Sequence, residues 1–348
     1  MKSIITRRVF ARLILLLIAT AVGRAIWLRN LAETKPQLMF GQLRFSSAVL
    51  LQLAERNGYI EREGLAYRAV NFPAGPDVLN GLRAISGNNI VAGTASTTPI
   101  ANWIGAGGKP VIIACVYSSH QHAQVLTFAK TNITVDPQTL KAKRIGLARN
   151  TLADVYLETL LSRGSISKRD IVLVGAKPPD LKSMLLRGDL DAAIIWDPFI
   201  VQAKREYLEG MKEKKYPDRG ELLSLIDPSV YRTRVFVVTS TDHLAKNRAS
   251  LVKLLRALKN ASDSVEEDRI DAQRKTEEWL GLEQGDLTTE FNTAEYRLSL
   301  NIPELSSILR TDLEWVSQAF PDAVIPKDLS PYFDASLLRE VAPEVVRN

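Results

Sequence analysis

The 348-residue chain predicts an α/β fold made of two similar halves joined by two strands, with a helical tail. Three observations lead there. The length exceeds what one ordinary core serves and suits two lobes. Strand-length apolar runs alternate with helix-period runs up to Thr239, without a 20–50-residue repeat, which excludes solenoids and propellers. Finally, Ala192–Ile195 is continuously apolar and bounded by turn residues, the pattern of a central parallel strand buried on both faces.

The elements follow in order. Gln37–Leu43 reads as a strand, Ala48–Asn57 as a helix closed by Gly58, and Leu65–Phe72 as a second strand. Pro76 opens a helix whose Val78, Leu79, Leu82 and Ile85 share one face. Asn89–Ala92 is a short strand, Pro99–Ile104 a helix, Val111–Tyr117 a strand, and Gln124–Ala129 a strand leading away from this group. A second set comprises strand Arg144–Ala148, helix Leu152–Leu161 closed by Gly164, strand Ile171–Val174, helix Asp180–Leu186 and strand Ala192–Ile195. A polar region over 203–233 precedes the β-rich run Val235–Thr239, and Ala249–Asn348 is mostly helical with proline-rich breaks.

The amino terminus has a secretory layout. Met1–Arg12 carries four basic side chains and no acid, and Leu13–Val22 is apolar and ends in small residues. A spanning helix needs about 20 apolar residues, whereas Arg24 and Arg29 interrupt this one, so a cleaved leader of about residues 1–25 is expected. Thr6–Arg12 resembles a twin-arginine signal, with Sec export as the alternative. No cysteine follows the apolar run to take a lipid, so the expected product diffuses in the periplasm; retention as a membrane-held sensor by an uncleaved leader is the rival reading. Removing Lys2, Arg7, Arg8, Arg12 and Arg24 takes five charges from the formal +6 and leaves about +1. That balance gives no electrostatic reason for nucleic-acid binding, and the charged stretch Lys212–Lys215 reads as a solvated helix face.

Three loops share one chemistry. Arg44-Phe45-Ser46-Ser47, Thr94-Ala95-Ser96-Thr97-Thr98 and Arg149-Asn150-Thr151 each set hydroxyls or amides before a helix. Such residues cap helices, and a helix start favours anions by roughly 0.3–2 kcal/mol, so three of them facing one cleft would bind an anion. Pro198 cannot donate to a sheet, which leaves Trp196 and Asp197 at the carboxyl edge where open α/β folds bind ligands. The plain alternative is a core tryptophan followed by a capping aspartate. Catalytic and metal readings are weaker. His120 and His122 have only His243 as a further histidine, no Gly-x-Ser-x-Gly turn exists, and Gly105–Pro110 lacks the hydroxyl of a phosphate loop. Asp189 and Asp191 read as turn residues, and Cys115, the only cysteine, as a buried hydrophobe without a disulfide partner.

Several landmarks together resemble a family. They are Leu53-Ala54-Glu55-Arg56-Asn57-Gly58 with Glu63-Gly64, Phe72-Pro73-Ala74-Gly75-Pro76, Gly93–Pro99, Gly146–Thr151 and, most diagnostic, Gly188–Phe199. In this order and spacing the chain resembles the periplasmic solute-binding proteins of ABC importers for nitrate, sulfonates and taurine, a class that includes thiamine-precursor-binding members. The resemblance spans Leu38–Leu255 and implies a two-lobed type II periplasmic binding protein, each lobe a mixed, mostly parallel sheet flanked by helices. Lobe one would hold residues 38–126 with 239–348 and lobe two residues 130–234, with hinge strands at 125–129 and 235–238. It further implies a cleft lined by Arg44, Ser46, Ser47, Gly75, Ser96 and Thr97, with Ser118 and His120 at the edge of lobe one. Asn150, Thr151, Trp196 and Asp197 would line lobe two, with Trp196 covering an organic tail. Asn89, where an aspartate is common, and Arg149, where a small residue or lysine is common, depart from the pattern. The implied protein is a monomer without cofactor or metal that hands a small anion to an inner-membrane permease. Enzymes on the same fold, desulfinase-like or pyrimidine-forming, are the other reading.

Overall fold

Glycines are needed where helices press onto the sheets. A Cβ on Gly93 would stand 2.4 Å from Val78 Cγ1 and 2.8 Å from the Gly41 carbonyl oxygen, and one on Gly146 2.4 Å from Leu190 Cδ1. Contacts that close force movement in a packed interior, so each position selects glycine. A computed structural model describes residues 38–84 and 90–347; the expected leader, Ile85 and Asn89 lie outside them.

Chain order begins with β1 (Leu38–Leu43), α1 (Val49–Arg56), α2 (Tyr59–Arg62), β2 (Tyr67–Phe72), α3 (Gly75–Arg83), β3 (Ile90–Ser96), α4 (Thr97–Gly105) and β4 (Pro110–Ser119). It continues with β5 (Gln124–Phe128), β6 (Arg144–Leu147), α5 (Leu152–Arg163), β7 (Val172–Gly175), α6 (Pro178–Arg187), β8 (Ala192–Ile195), α7 (Phe199–Lys212) and β9 (Leu222–Leu225). The last group is β10 (Thr233–Ser240), α8 (Thr241–Glu267), α9 (Arg269–Leu280), α10 (Thr288–Thr293), β11 (Leu300–Asn301), α11 (Ile302–Ala319), α12 (Ser336–Val341) and β12 (Val346–Arg347).

Two five-stranded sheets result, ordered β2-β1-β3-β10-β4 and β7-β6-β8-β5-β9. In the first, β1 and β3 run parallel, and β10 is antiparallel to β3 and β4, with Val235 opposite Ser96. In the second, β6 is parallel to β7 and β8, while β5 is antiparallel to β8 and β9. The two antiparallel strands share an origin: β5 is reached from the first sheet through residues 120–123, and β10 from the second through 226–232. The runs expected to join the halves, 125–129 and 235–238, therefore fall mainly within interior strands, and the connecting backbone lies just before each.

The central β8 behaves as its composition dictates. Ala192 and Ile194 pack into one core cluster, Ala193 and Ile195 into another, and all four are at most 1% exposed. Gly188, at φ +92°, closes α6 in the left-handed conformation and returns the chain to this strand. The tail is tied to β4 by bridges from Cys115 to Ser299 and from Ser118 to Glu295, α8 packs on the same sheet, and α11 packs on α4. No helix among the described residues is long and apolar enough to cross a membrane.

The polar 203–233 region carries most of α7, whose buried Ile200, Ala203, Tyr207 and Gly210 recur at helical spacing, and it carries β9; one reading within it, that of Lys212–Lys215 as a helix face, needs correction. Lys212 ends α7, and Lys214 adopts φ +57°, so most of the Lys212–Lys215 stretch turns away after the helix instead of forming its face.

Candidate functional site

The carboxyl ends of β1, β3 and β8 and the starts of α3, α4 and α5 converge on one small cavity. Its volume is about 20 Å3, and Leu43, Phe45, Ser47, Gly75, Ser96, Pro99, His122, Thr151, Leu152, Trp196 and Val235 line it. That is room for about one water. Ser47, Ser96 and Thr151 supply hydroxyls. Thr151 also caps α5 by accepting from the Ala153 amide at 3.2 Å while donating to the Ala148 carbonyl at 2.7 Å. Aromatic rings close the apolar side, with Phe45 5.7 Å from Trp196 and 5.6 Å from Phe199, both edge-on.

The structure brings Ser47, Gly75, Ser96, Thr151 and Trp196 together at this cavity. Thr97, beside Ser96, is buried with no partner for its hydroxyl. Ser46 lies behind the wall and donates to Glu290 at 3.4 Å. Asp197 is 8% exposed and accepts from the Val201 amide at 3.4 Å, so it serves the start of α7. Burial, reinforced by the charge on Glu290, pushes its carboxyl up to about 7.

The remaining candidates lie elsewhere. Arg44 is exposed, and its guanidinium stacks over Trp279 and donates to that residue's carbonyl, so it is absent from the cavity wall. Ser118 accepts from Arg232 Nε at 2.7 Å and holds the tail to β4. His120 is bonded through Nδ1 to the Pro228 carbonyl at 2.9 Å, which ties one inter-sheet connection to the other. Asn150, at φ +60°, lines a larger cavity of about 530 Å3 between α3, α4 and the end of α11. This second space contains none of the convergent hydroxyls, so the smaller cavity is the better candidate despite its size. Arg149 forms an ion pair with Asp154 at 3.3 Å.

His122 is the residue that the sequence pattern missed as a cleft residue. It is 3% exposed, and its ring lies nearly parallel to Trp196, 5.9 Å away. Its Nδ1 is 3.0 Å from the Tyr117 hydroxyl and 3.5 Å from Glu290 Oε1, and Tyr117 in turn donates to Glu290. Asp189 and Asp191 are structural: Arg187 pairs with the first, and Arg144 grips the second through Nε and Nη2. Cys115 is buried within β4, and burial raises its thiol to about 11. Among the described residues no group of His, Cys, Asp and Glu is placed to hold a metal ion.

Comparison with known proteins agrees with this architecture. A family model described as NMT1/THI5 like matches residues 47–269, more than half of the chain. A Brucella abortus (strain 2308) protein that carries the provisional name of binding protein is 26% identical over 263 residues, which is 74% of this chain and 75% of that one. The alkanesulfonate-binding protein SsuA from Xanthomonas axonopodis pv. citri, solved with MOPS bound, shares the fold at TM-score 0.68 and 19% identity, covering 87% of this chain and 99% of that one. The periplasmic nitrate-binding protein NrtA from Synechocystis PCC 6803 does so at TM-score 0.68 and 11% identity, covering 89% of each. With two mixed sheets exchanging one strand each, and the family model covering residues 47–269, which include all the cavity-lining residues except Leu43 and Phe45, the chain belongs to the NMT1/THI5-like family.

Proposed function

We propose that this protein is the solute-capturing component of an importer, which encloses a small anion between its two sheets and delivers it to a membrane permease. The observation that carries the reading is the cavity itself: its hydroxyl-bearing wall comes from both sheets, Ser47 and Ser96 from one and Thr151 from the other. Chain connection between the sheets runs through 120–123 and 226–232, the places where a hinge would bend, and the His120 bond to Pro228 couples them. Residues 38–126 with 239–348 would move as one lobe and 130–234 as the other.

The solute class follows from the donors. Hydroxyls and helix starts favour an oxyanion such as a sulfonate, nitrate or bicarbonate, and the ring of Trp196 offers an apolar cover. Alkanesulfonate and nitrate binding by proteins of the same fold supports this class. A site of about 20 Å3 must widen for any of them, so binding requires the sheets to part and reclose. The reading places the protein in the periplasm as a monomer, consistent with the leader pattern. Chemistry on the same fold has less support, since the single thiol is buried and held protonated.

A thermal-shift screen of the protein against nitrate, bicarbonate, taurine and alkanesulfonates tests the proposal. A ligand at 100 times its Kd stabilises by about 2.7 kcal/mol. A rise in Tm with one of these anions is expected. A rise only with cations or peptides would overturn the solute class.

A further inference from the structure

The hydroxyl-lined cavity and the larger one are neighbours that share a wall. Pro99 lines both. Around it the chain passes from one space to the other within single steps: Gly75 lines the small cavity and Pro76 the large one, Thr151 the small one and Asn150 the large one. Gly75 presses on this partition, since a Cβ there would stand 3.2 Å from Pro99 Cγ. Gly75 and Pro99 lie in loops and helices of the first sheet, Asn150 and Thr151 in a loop of the second. The boundary between the two spaces therefore falls where one half of the molecule meets the other. Sheets that part to admit a solute would also open one space into the other.

The two spaces differ in size and in chemistry. The larger, of about 530 Å3, has the volume of a small-molecule pocket, whereas the smaller holds about one water. Leu79, Trp103 and Val316 line the larger as buried apolar residues, and Phe320, 43% exposed, stands at its rim. Its two charged residues, Arg83 and Asp322, are both exposed, and the Arg83 guanidinium lies over the Trp103 ring at 5.9 Å. Helix α11, which supplies Val316, is tied to α5 of the other half by Trp315 Nε1, which donates to Glu158 at 3.2 Å. We propose that this space is the tail compartment of the same site, so that the solute is an organic anion with an apolar tail of about four carbons or more. Its head meets the hydroxyls of Ser47, Ser96 and Thr151, and its tail leaves water against Leu79, Trp103, Val316 and Phe320. The inference rests on the anion reading above and selects within it: nitrate and bicarbonate have no tail to place there.

The test is titration calorimetry of the full chain with nitrate and with methane-, butane- and hexanesulfonate, on the wild type, Ala323→Trp and Asn80→Trp. The two variants fill the compartment from different walls, the turn after α11 and helix α3, and Asn80 is exposed, so its variant is readable even if the other folds poorly. Each methylene that leaves water should tighten binding by up to about fourfold, so the wild type should bind hexanesulfonate at least about thirtyfold more tightly than methanesulfonate. In the variants that gain should shrink about tenfold, while methanesulfonate binds within about twofold of wild type. Equal wild-type affinity for the three sulfonates, hexanesulfonate that does not compete with methanesulfonate, or an undiminished gain in a folded variant would overturn the tail compartment. So would binding of nitrate with none of the sulfonates. Failure of the wild type to bind any of the four anions would instead overturn the anion reading on which the inference rests.

Discussion

Replacing Asp197 by asparagine should make the protein more stable at neutral pH, by an amount that grows with pH. The carboxyl is buried near Glu290 and is pushed from 3.8 to about 7. Between those values the folded chain keeps a proton that the unfolded chain has lost. The number of protons bound is then greater in the folded state, so stability declines as pH rises through this window. Each pH unit is worth about 1.4 kcal/mol, and a window of about three units gives about 4 kcal/mol of lost stability above pH 7. Asparagine keeps an oxygen for the Val201 amide and cannot ionise. Urea unfolding of both proteins at pH 5, 6, 7 and 8 reads the difference directly. Parallel stability profiles for wild type and Asp197→Asn across that range would refute the burial argument for this acid.

Other consequences are equally specific. Asp312, buried and accepting from Thr98 at 2.8 Å, is likewise raised to about 7, so Asp312→Asn should flatten the decline in stability over the same pH window in the same urea titration. Gly93→Ala should destabilise by about 1–3 kcal/mol, because its methyl would meet Val78 and the Gly41 carbonyl; equal Tm values for the two proteins would contradict the close approach. Phe45→Ala removes two edge-on ring contacts and should cost about 3–5 kcal/mol in denaturant unfolding; a loss below 1 kcal/mol would show that the rings do not close the cavity. Cys115 should resist a thiol reagent at pH 8 until the protein unfolds, as followed by mass spectrometry.

What the sequence revealed and what it hid divide along a physical line. The central strand was legible because four small or branched apolar residues stand between the Gly188 turn and Pro198, and local composition alone selects a doubly buried strand. The helix start at Leu152 was legible because the hydroxyl of Thr151 caps it, whereas the helix expected from Pro99 begins two residues earlier, at Thr97, behind Ser96, whose side chain makes no capping bond. Direction was not. Arg44 sits in the expected loop, yet its side chain follows Trp279, a partner 235 positions away, and no local pattern encodes that choice. His122 was hidden likewise, since its place at the cavity wall goes with a bond to Tyr117, whose hydroxyl reaches Glu290 across 173 positions. Helix α7 was obscured by its polar surface, although the spacing of Ile200, Ala203 and Tyr207 carries the signal.

On the function proposed, the two sheets move against each other around a bound anion. Spin labels on Lys109→Cys and Lys141→Cys, both exposed and one beside each sheet, are compatible with the buried native cysteine. The distance distribution between them should shift and narrow when the anion found in the thermal screen is added at saturation. A distribution identical with and without that anion would contradict closure of the sheets upon the solute.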